Sequence, residues 1–220
     1  MKKSLMISLF LLVSNLVCFS EDVDIVYVCR DGSEFIEKID KNEKAFGFFA
    51  SEESKYNNVV TVKGLEQLVE VEEASFYMLR YINDFSFLSD LKNLRKLHIA
   101  SCTINNLKFL EKLQKLEYLS INFYVPDEFK DKISNERINL EKLKNLTEIY
   151  YCDGLGTIPR FYNLVENVKI NLSNNCITKF SKEDVKLLNQ YSEICLLFNP
   201  VTENVKEMDK LNGMNVIYKD

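Results

Sequence analysis

Tryptophan is absent from this 220-residue sequence, histidine occurs once, glycine six times and proline three times. The scarcity of glycine and proline excludes a collagen-like chain and proline-rich linkers. A single imidazole leaves few arrangements for acid–base or metal chemistry, and the sequence contains no HExxH, Walker, G-x-S-x-G or G-x-G-x-x-G motif. We therefore predict that the protein is not an enzyme and holds neither a cofactor nor a metal.

Basic residues are outnumbered as well, with 28 Lys and Arg against 33 Asp and Glu and a formal net charge of −5. A chain this acidic has no electrostatic reason to bind nucleic acid or an anionic membrane surface. Its hydrophobic content of 46% excludes a disordered chain. The length suits one domain, or one repeat array with a cap.

The first twenty residues have the pattern of an export signal. A basic start at 1–3 precedes a short apolar run at 5–17, and the small residues Cys18 and Ser20 stand before the acidic Glu21. This pattern predicts a signal peptide over 1–20 that is cleaved before Glu21. The run is too short for a transmembrane helix, which needs about 20 residues. We expect a secreted or cell-envelope protein, and lipidation of Cys18 is the second interpretation.

The cysteines do not form a recognisable framework. Besides Cys18 there are five, an odd number without CxxC spacing. An odd count excludes complete disulfide pairing, and zinc-type spacing is missing. We expect packed thiols, of which one pair could form in an oxidising compartment.

Apolar residues recur at steps of three and then switch to a step of two. A single α-helix cannot bury such a stripe, because three residues advance about 300° and the stripe drifts around the helix. The pattern instead predicts a coil that turns a corner on each pass. The two clearest runs are Phe85, Leu88, Leu91, Leu94, Leu97 with Ile99, and Leu107, Leu110, Leu113, Leu116, Leu119 with Ile121.

The two runs are 22 residues apart, and related pairs follow further along the chain. Residues 94–104 match the consensus L-x-x-L-x-L-x-x-N/C-x-L. The cleanest later copy is Ile170 to Ile177. Over residues 75–220 the sequence resembles the bacterial leucine-rich repeat proteins with 22-residue units, the internalin-like group. The resemblance implies an α/β solenoid of about six repeats with a curved parallel sheet, and a role in protein binding, which for some relatives is adhesion to host cells.

The copies are not uniform. One step is lengthened to 30 residues and contains a charged segment at 125–137, which we interpret as an insertion. Tyr124 and Gly154 occupy the positions where the repeat usually has a buried asparagine. Residues 21–72 do not follow the repeat, and Asp31-Gly32 between two apolar runs is typical of a hairpin turn. We predict an N-terminal cap at 21–72 and a repeat domain at 73–220; a separate functional module at 21–72 is the alternative.

The residues between the core leucines should face outward from the concave side of the sheet. Exposed aromatic side chains on a rigid sheet are frequent anchors of protein interfaces. The residues predicted to bind a partner are His98, Tyr118, Phe123, Tyr150, Leu197 and Phe198. The alternative is that the aromatic residues, Phe123 and Phe198 above all, are packing residues. The predicted function is an exported module that binds a protein partner through this face, with adhesion as one use; the alternative is a structural scaffold lipoprotein of the producer's own envelope.

Overall fold

The structure is a computed structural model that describes residues 21–201, Leu211 and the backbone of 215–217. The predicted signal peptide and Cys18 lie outside the described residues. No helix in the described part of the chain is long and apolar enough to cross a membrane.

The chain is a leucine-rich repeat solenoid built on one long sheet. Eight strands pair in parallel, each with the next along the coil. The pairing sets Leu97, Leu119, Ile149, Ile170, Ile194 and Val216 in one line, which is the register that the repeat predicts. The strands of this sheet are β3 (Ala45–Phe49), β5 (Glu73–Tyr77), β6 (Lys96–Thr103), β7 (Tyr118–Tyr124), β9 (Glu148–Cys152), β11 (Lys169–Asn171), β12 (Glu193–Cys195) and β13 (Asn215–Ile217).

The steps of three correspond to 3₁₀ segments on the opposite, convex side. Two of these are Ser86–Asp90 and Lys108–Lys112. A 3₁₀ helix has three residues per turn, so residues three apart share a face. The N–H of Leu110 donates to the carbonyl of Leu107, and the N–H of Leu113 donates to that of Leu110. The leucines whose side chains fill the core thus also form the backbone hydrogen bonds of these turns.

The N-terminal residues add a second, antiparallel sheet. It consists of β1 (Asp22–Cys29), β2 (Glu34–Asp40) and β4 (Val59–Lys63), with β1 in the middle. The turn between β1 and β2 contains Asp31 and Gly32. Strand β3 of the same region does not join this sheet but pairs with β5, so residues before 73 already contribute a strand to the solenoid.

An aromatic cluster joins the two sheets. Phe76, fully buried on β5, makes edge-on contacts with Phe46 and Phe48 of β3 at centroid distances of 6.1 and 5.4 Å. Phe48 contacts Tyr27 of the cap sheet at 5.4 Å. The apolar end of the repeats is therefore covered by aromatic side chains from residues 21–72. The boundary between cap and repeats stays a proposal.

The lengthened step contains additional elements. A 3₁₀ turn at Asp127–Phe129 leads into helix α1 (Lys130–Asn135), and strand β8 (Ile138–Asn139) then pairs in parallel with β10 (Phe161–Tyr162). Helix α2 (Lys182–Leu188) follows in the next repeat, and its first turn is closed by a capping box between Ser181 and Asp184. These elements form a small second surface away from the main sheet.

Candidate protein-binding surface

The outward residues of the main sheet form rows because neighbouring strands are in register. One row contains His98, Ser120, Tyr150, Asn171 and Cys195. The row beside it contains Glu73, Lys96, Tyr118, Glu148, Lys169 and Glu193, in which acidic and basic side chains are mixed. The face thus has no strong charge of one sign.

Three of the predicted residues form a group in the middle of the face. The rings of His98 and Tyr118 lie 5.2 Å apart. Tyr150 stands on the next strand, opposite Ser120, and is therefore diagonal to Tyr118. All three side chains are half-buried, and burial raises the pKa of the Tyr150 hydroxyl. Each presents part of an aromatic surface, and the strands fix their spacing.

Phe123 does not belong to this face, and its expected outward orientation is wrong. Its side chain is only 4% exposed and packs edge-on against Tyr151, with ring centroids 5.5 Å apart. In β6 the register slips between Ala100 and Cys102, so that Cys102 lies opposite Phe123. Phe123, and not Tyr124, thus occupies the buried position at the end of the strand.

A left-handed residue explains this shift. In four repeats a residue with positive φ lies directly before the buried position; these residues are Met78, Ser101, Asn174 and Phe198, with φ between 55° and 60°. In the repeats of β7 and β9 the residues directly before the buried position, Asn122 and Cys152, do not have positive φ. Inward and outward side chains therefore alternate without interruption in these two repeats. As a result Asp153, and not Gly154, takes the buried position after β9. The assignments of Tyr124 and Gly154 to that position are therefore wrong.

The buried positions near the C-terminal end form a ladder of polar side chains. Asn175 accepts a hydrogen bond from the Asp153 N–H and donates to the carbonyls of Tyr151 and Leu172. Asn199 accepts from the N–H groups of Asn175 and Ile177. The ladder holds the loops that end the strands.

Phe198 lies in the turn after β12 and is 74% exposed. It has a φ of 60°, a conformation that bulky side chains rarely adopt. Leu197 beside it is half-buried, and its carbonyl accepts a hydrogen bond from the Asn174 N–H. The fold buries little of Phe198 and strains its backbone.

The structure adds four residues that sequence reasoning missed. Phe49, Tyr77, Met78 and Tyr81 expose 36% to 49% of their surface near the N-terminal end of the sheet. Phe49 and Tyr77 are opposite one another on β3 and β5 and line a groove of about 350 Å³. The strand at 73–77 deviates from the consensus, and β3 lies outside the repeat. Nothing in the sequence pattern therefore indicated that these four residues lie at the same end of the sheet.

The described residues contain no group of three or more His, Cys, Asp or Glu side chains that could hold a metal ion. The five cysteines from Cys29 to Cys195 are free thiols. Desolvation raises the pKa of the buried Asp153, whose carboxylate accepts a hydrogen bond from the Tyr151 hydroxyl at 2.8 Å. Both groups lie beneath the sheet, so this pair belongs to the core.

No family model matches the sequence, and no curated protein does either. Among solved structures, the chain is similar to internalin C2 of Listeria monocytogenes, with 22% identity over 70% of this chain and 54% of that one and a TM-score of 0.38. A second internalin of that organism has 12% identity over 84% of this chain and 65% of that one, with a TM-score of 0.32. A leucine-rich repeat protein of Leptospira interrogans has 17% identity over 82% of this chain and 60% of that one, with a TM-score of 0.36. The chain thus spans about half to two thirds of the length of these proteins. Its own repeat register and strand pairing establish the leucine-rich repeat fold.

Proposed function

We propose that this protein is a binding module that recognises a protein partner through the concave face of its repeats. The observation that carries the proposal is the set of aromatic side chains fixed on that face: His98, Tyr118 and Tyr150 in the middle and Phe49 with Tyr77 at one end. Aromatic side chains lose little conformational entropy on binding and dominate the energetics of interfaces. A rigid sheet holds them in place before the partner arrives.

The strained residue Phe198, in the turn after β12, supports the same proposal. Left-handed backbone costs roughly 1–2 kcal/mol for a residue with a side chain, and Asn, which occupies the equivalent position 174, tolerates it better. Phe198 bears this cost while it exposes most of its ring. The left-handed position recurs in the repeat, but a phenylalanine there gains no burial, and we propose that its exposed ring contacts the partner.

We place this activity outside the cytoplasm, because residues 1–20 have the pattern of an export signal. Adhesion to a host or partner cell is the use we propose for it. Mass spectrometry of the N-terminus of the exported protein tests this placement. A chain that begins at Glu21 indicates secretion, an acylated Cys18 indicates a lipid anchor, and an intact Met1 in the exported fraction contradicts both.

The binding proposal is tested by affinity capture with the full chain as bait. Host-cell extract and the producer's own envelope fraction are screened separately, with wild type and a Tyr118→Ala/Tyr150→Ala variant in parallel. A partner captured by wild type and lost by the variant supports the concave face. A partner found only in the envelope fraction would favour the scaffold function over adhesion.

The matched control is Ile36→Ala, since Ile36 is 60% exposed and lies on β2 of the cap sheet, not on the main sheet. It removes an exposed apolar side chain from outside the concave face. Both variants should retain the circular dichroism of the wild type. If the double variant captures the same proteins as wild type, the concave-face proposal is wrong.

A further inference from the structure

A groove lies on the side of the solenoid away from the concave face, where the lengthened repeat meets helix α2. It has a volume of about 720 Å³, within the range of roughly 300–1,000 Å³ of sites that hold small ligands. Arg137 ends the segment that carries α1, Tyr162 lies on β10, and Lys182 and Lys186 lie on α2. The insertion predicted from the sequence therefore provides one wall of the groove.

The charge of the groove is positive, in contrast with the acidic chain. Lys182 and Lys186 are exposed and have no ion-pair partner in the described part of the chain. Glu183, the carboxylate between them, is already bound to the Arg160 guanidinium at 2.8 Å, which holds the pKa of Glu183 below its usual range. Lys182 and Lys186 are thus available to an anionic ligand, and Arg137, which is near enough to Glu183 to lower the pKa of that carboxyl, adds a third positive charge to the lining.

The groove also contains planar side chains, an arginine stacked on a tyrosine ring and two amides. The Arg137 guanidinium lies over the Tyr162 ring, 4.2 Å from its centroid. Asn163 donates its amide N–H to Asn139, and Gln190 donates to the carbonyls of Phe161 and Leu187. In both cases the amide oxygen remains as an acceptor, with no donor to it among residues 21–201. Amide acceptors and a stacked guanidinium beside cations can bind hydroxyl groups and acidic groups together.

Backbone groups of β8 and β10 beside the groove already have hydrogen-bond partners. The Glu111 carboxylate accepts a hydrogen bond from the Asn139 N–H on β8, and the Gln190 amide covers the Phe161 carbonyl on β10. A peptide that binds by adding a strand needs free backbone groups at a sheet edge. Since these two groups are occupied, we expect recognition in the groove through side chains.

We propose that this groove binds an acidic oligosaccharide, a sugar chain that carries sulfate or carboxylate groups. The acidic groups would pair with Lys182, Lys186 and Arg137, and the sugar hydroxyls would donate to Asn163 and Gln190. This site is independent of the concave face. A protein bound to the concave face and a glycan bound to the groove would occupy opposite sides of one molecule.

The test is calorimetry of the full chain with a heparin-derived hexasaccharide and with an oligogalacturonate of the same length. The first carries sulfate and carboxylate groups and the second only carboxylates, so the pair separates the two kinds of acidic sugar. We expect at least one to bind, with affinity that falls as salt rises. Lys182→Ala/Lys186→Ala should weaken binding by roughly two- to thirtyfold. Arg137→Lys, which keeps the charge but loses the flat donor, should weaken it several-fold.

Lys142→Ala/Lys144→Ala is the matched control, because both lysines are exposed and lie outside the groove. It removes the same charge and should leave the affinity unchanged. Neutral maltohexaose should not bind. The proposal is overturned if neither acidic sugar binds to wild type, if the control loses as much affinity as the groove variant, or if hexaglutamate binds as tightly as the sugars.

Discussion

Replacement of Asn175 by alanine should destabilise the C-terminal repeats more than any exposed polar substitution. The Asn175 side chain is fully buried and makes three hydrogen bonds, at 2.9 Å to the Asp153 N–H, 2.6 Å to the Tyr151 carbonyl and 3.0 Å to the Leu172 carbonyl. Alanine removes all three. The Leu172 carbonyl keeps a partner, because Asn199 also donates to it at 2.7 Å.

Two buried backbone groups are therefore left without a partner, the Asp153 N–H and the Tyr151 carbonyl. Each such group costs roughly 1–3 kcal/mol, so the free energy of unfolding should fall by about 2–6 kcal/mol. A domain of this kind has a total of about 5–15 kcal/mol. Asn175→Leu separates the hydrogen bonds from the lost volume. It refills the space without restoring the bonds and should cost about as much as alanine.

The assay is urea unfolding followed by circular dichroism, together with hydrogen exchange. Because each repeat contacts only its neighbours, protection should fall first in β9 and β11 and least in β6. Asn122→Ala, at an exposed position of β7, should change stability by less than about 0.5 kcal/mol. A loss of under about 0.5 kcal/mol for Asn175→Ala, or a rescue by Asn175→Leu, would refute the reasoning.

Three further substitutions test other parts of the structure. Phe198→Asn should raise stability by about 0.5–1 kcal/mol, because asparagine tolerates the left-handed backbone, and should weaken capture of the protein partner. Asp153→Asn should stabilise the protein at neutral pH. Burial raises the pKa of the Asp153 carboxyl, so its stability contribution is greatest below the unfolded value of about 3.9 and falls as pH rises toward the folded value. Phe76→Ala should cost about 3–5 kcal/mol and expose the contact between cap and repeats.

Denaturant unfolding at several pH values measures all three. A Phe198→Asn variant that is less stable than wild type would show that the ring packs in the fold. An unchanged slope of stability against pH between about 4 and 7 in Asp153→Asn would contradict the role of that carboxyl. If Phe76→Ala unfolds like wild type, the aromatic cluster does not join the cap to the solenoid.

The fold could be predicted from the sequence because the equivalent positions of a repeat identify residues that contact one another in the stacked coils. Leu97 and Leu119 are equivalent in the pattern, and equivalent residues of stacked coils must pair, so the register followed from spacing alone. The predicted roles of Phe123 and Tyr124 failed for a local reason. One left-handed residue shifts the alternation by one position, and Met78, Ser101, Asn174 and Phe198 share no side-chain type that announces it.

By itself, then, the sequence determined the solenoid, the parallel order of its strands and the outward positions of His98, Tyr118 and Tyr150, since periodicity encodes which face each side chain takes. The tertiary structure alone decided that Phe49 lies beside Tyr77, and that Arg137 meets α2 across a basic groove. The first contact joins the cap to a strand 28 residues later, and the second joins an insertion to a helix 45 residues later. No repeat connects these pairs, so only the packing of the folded chain brings them together.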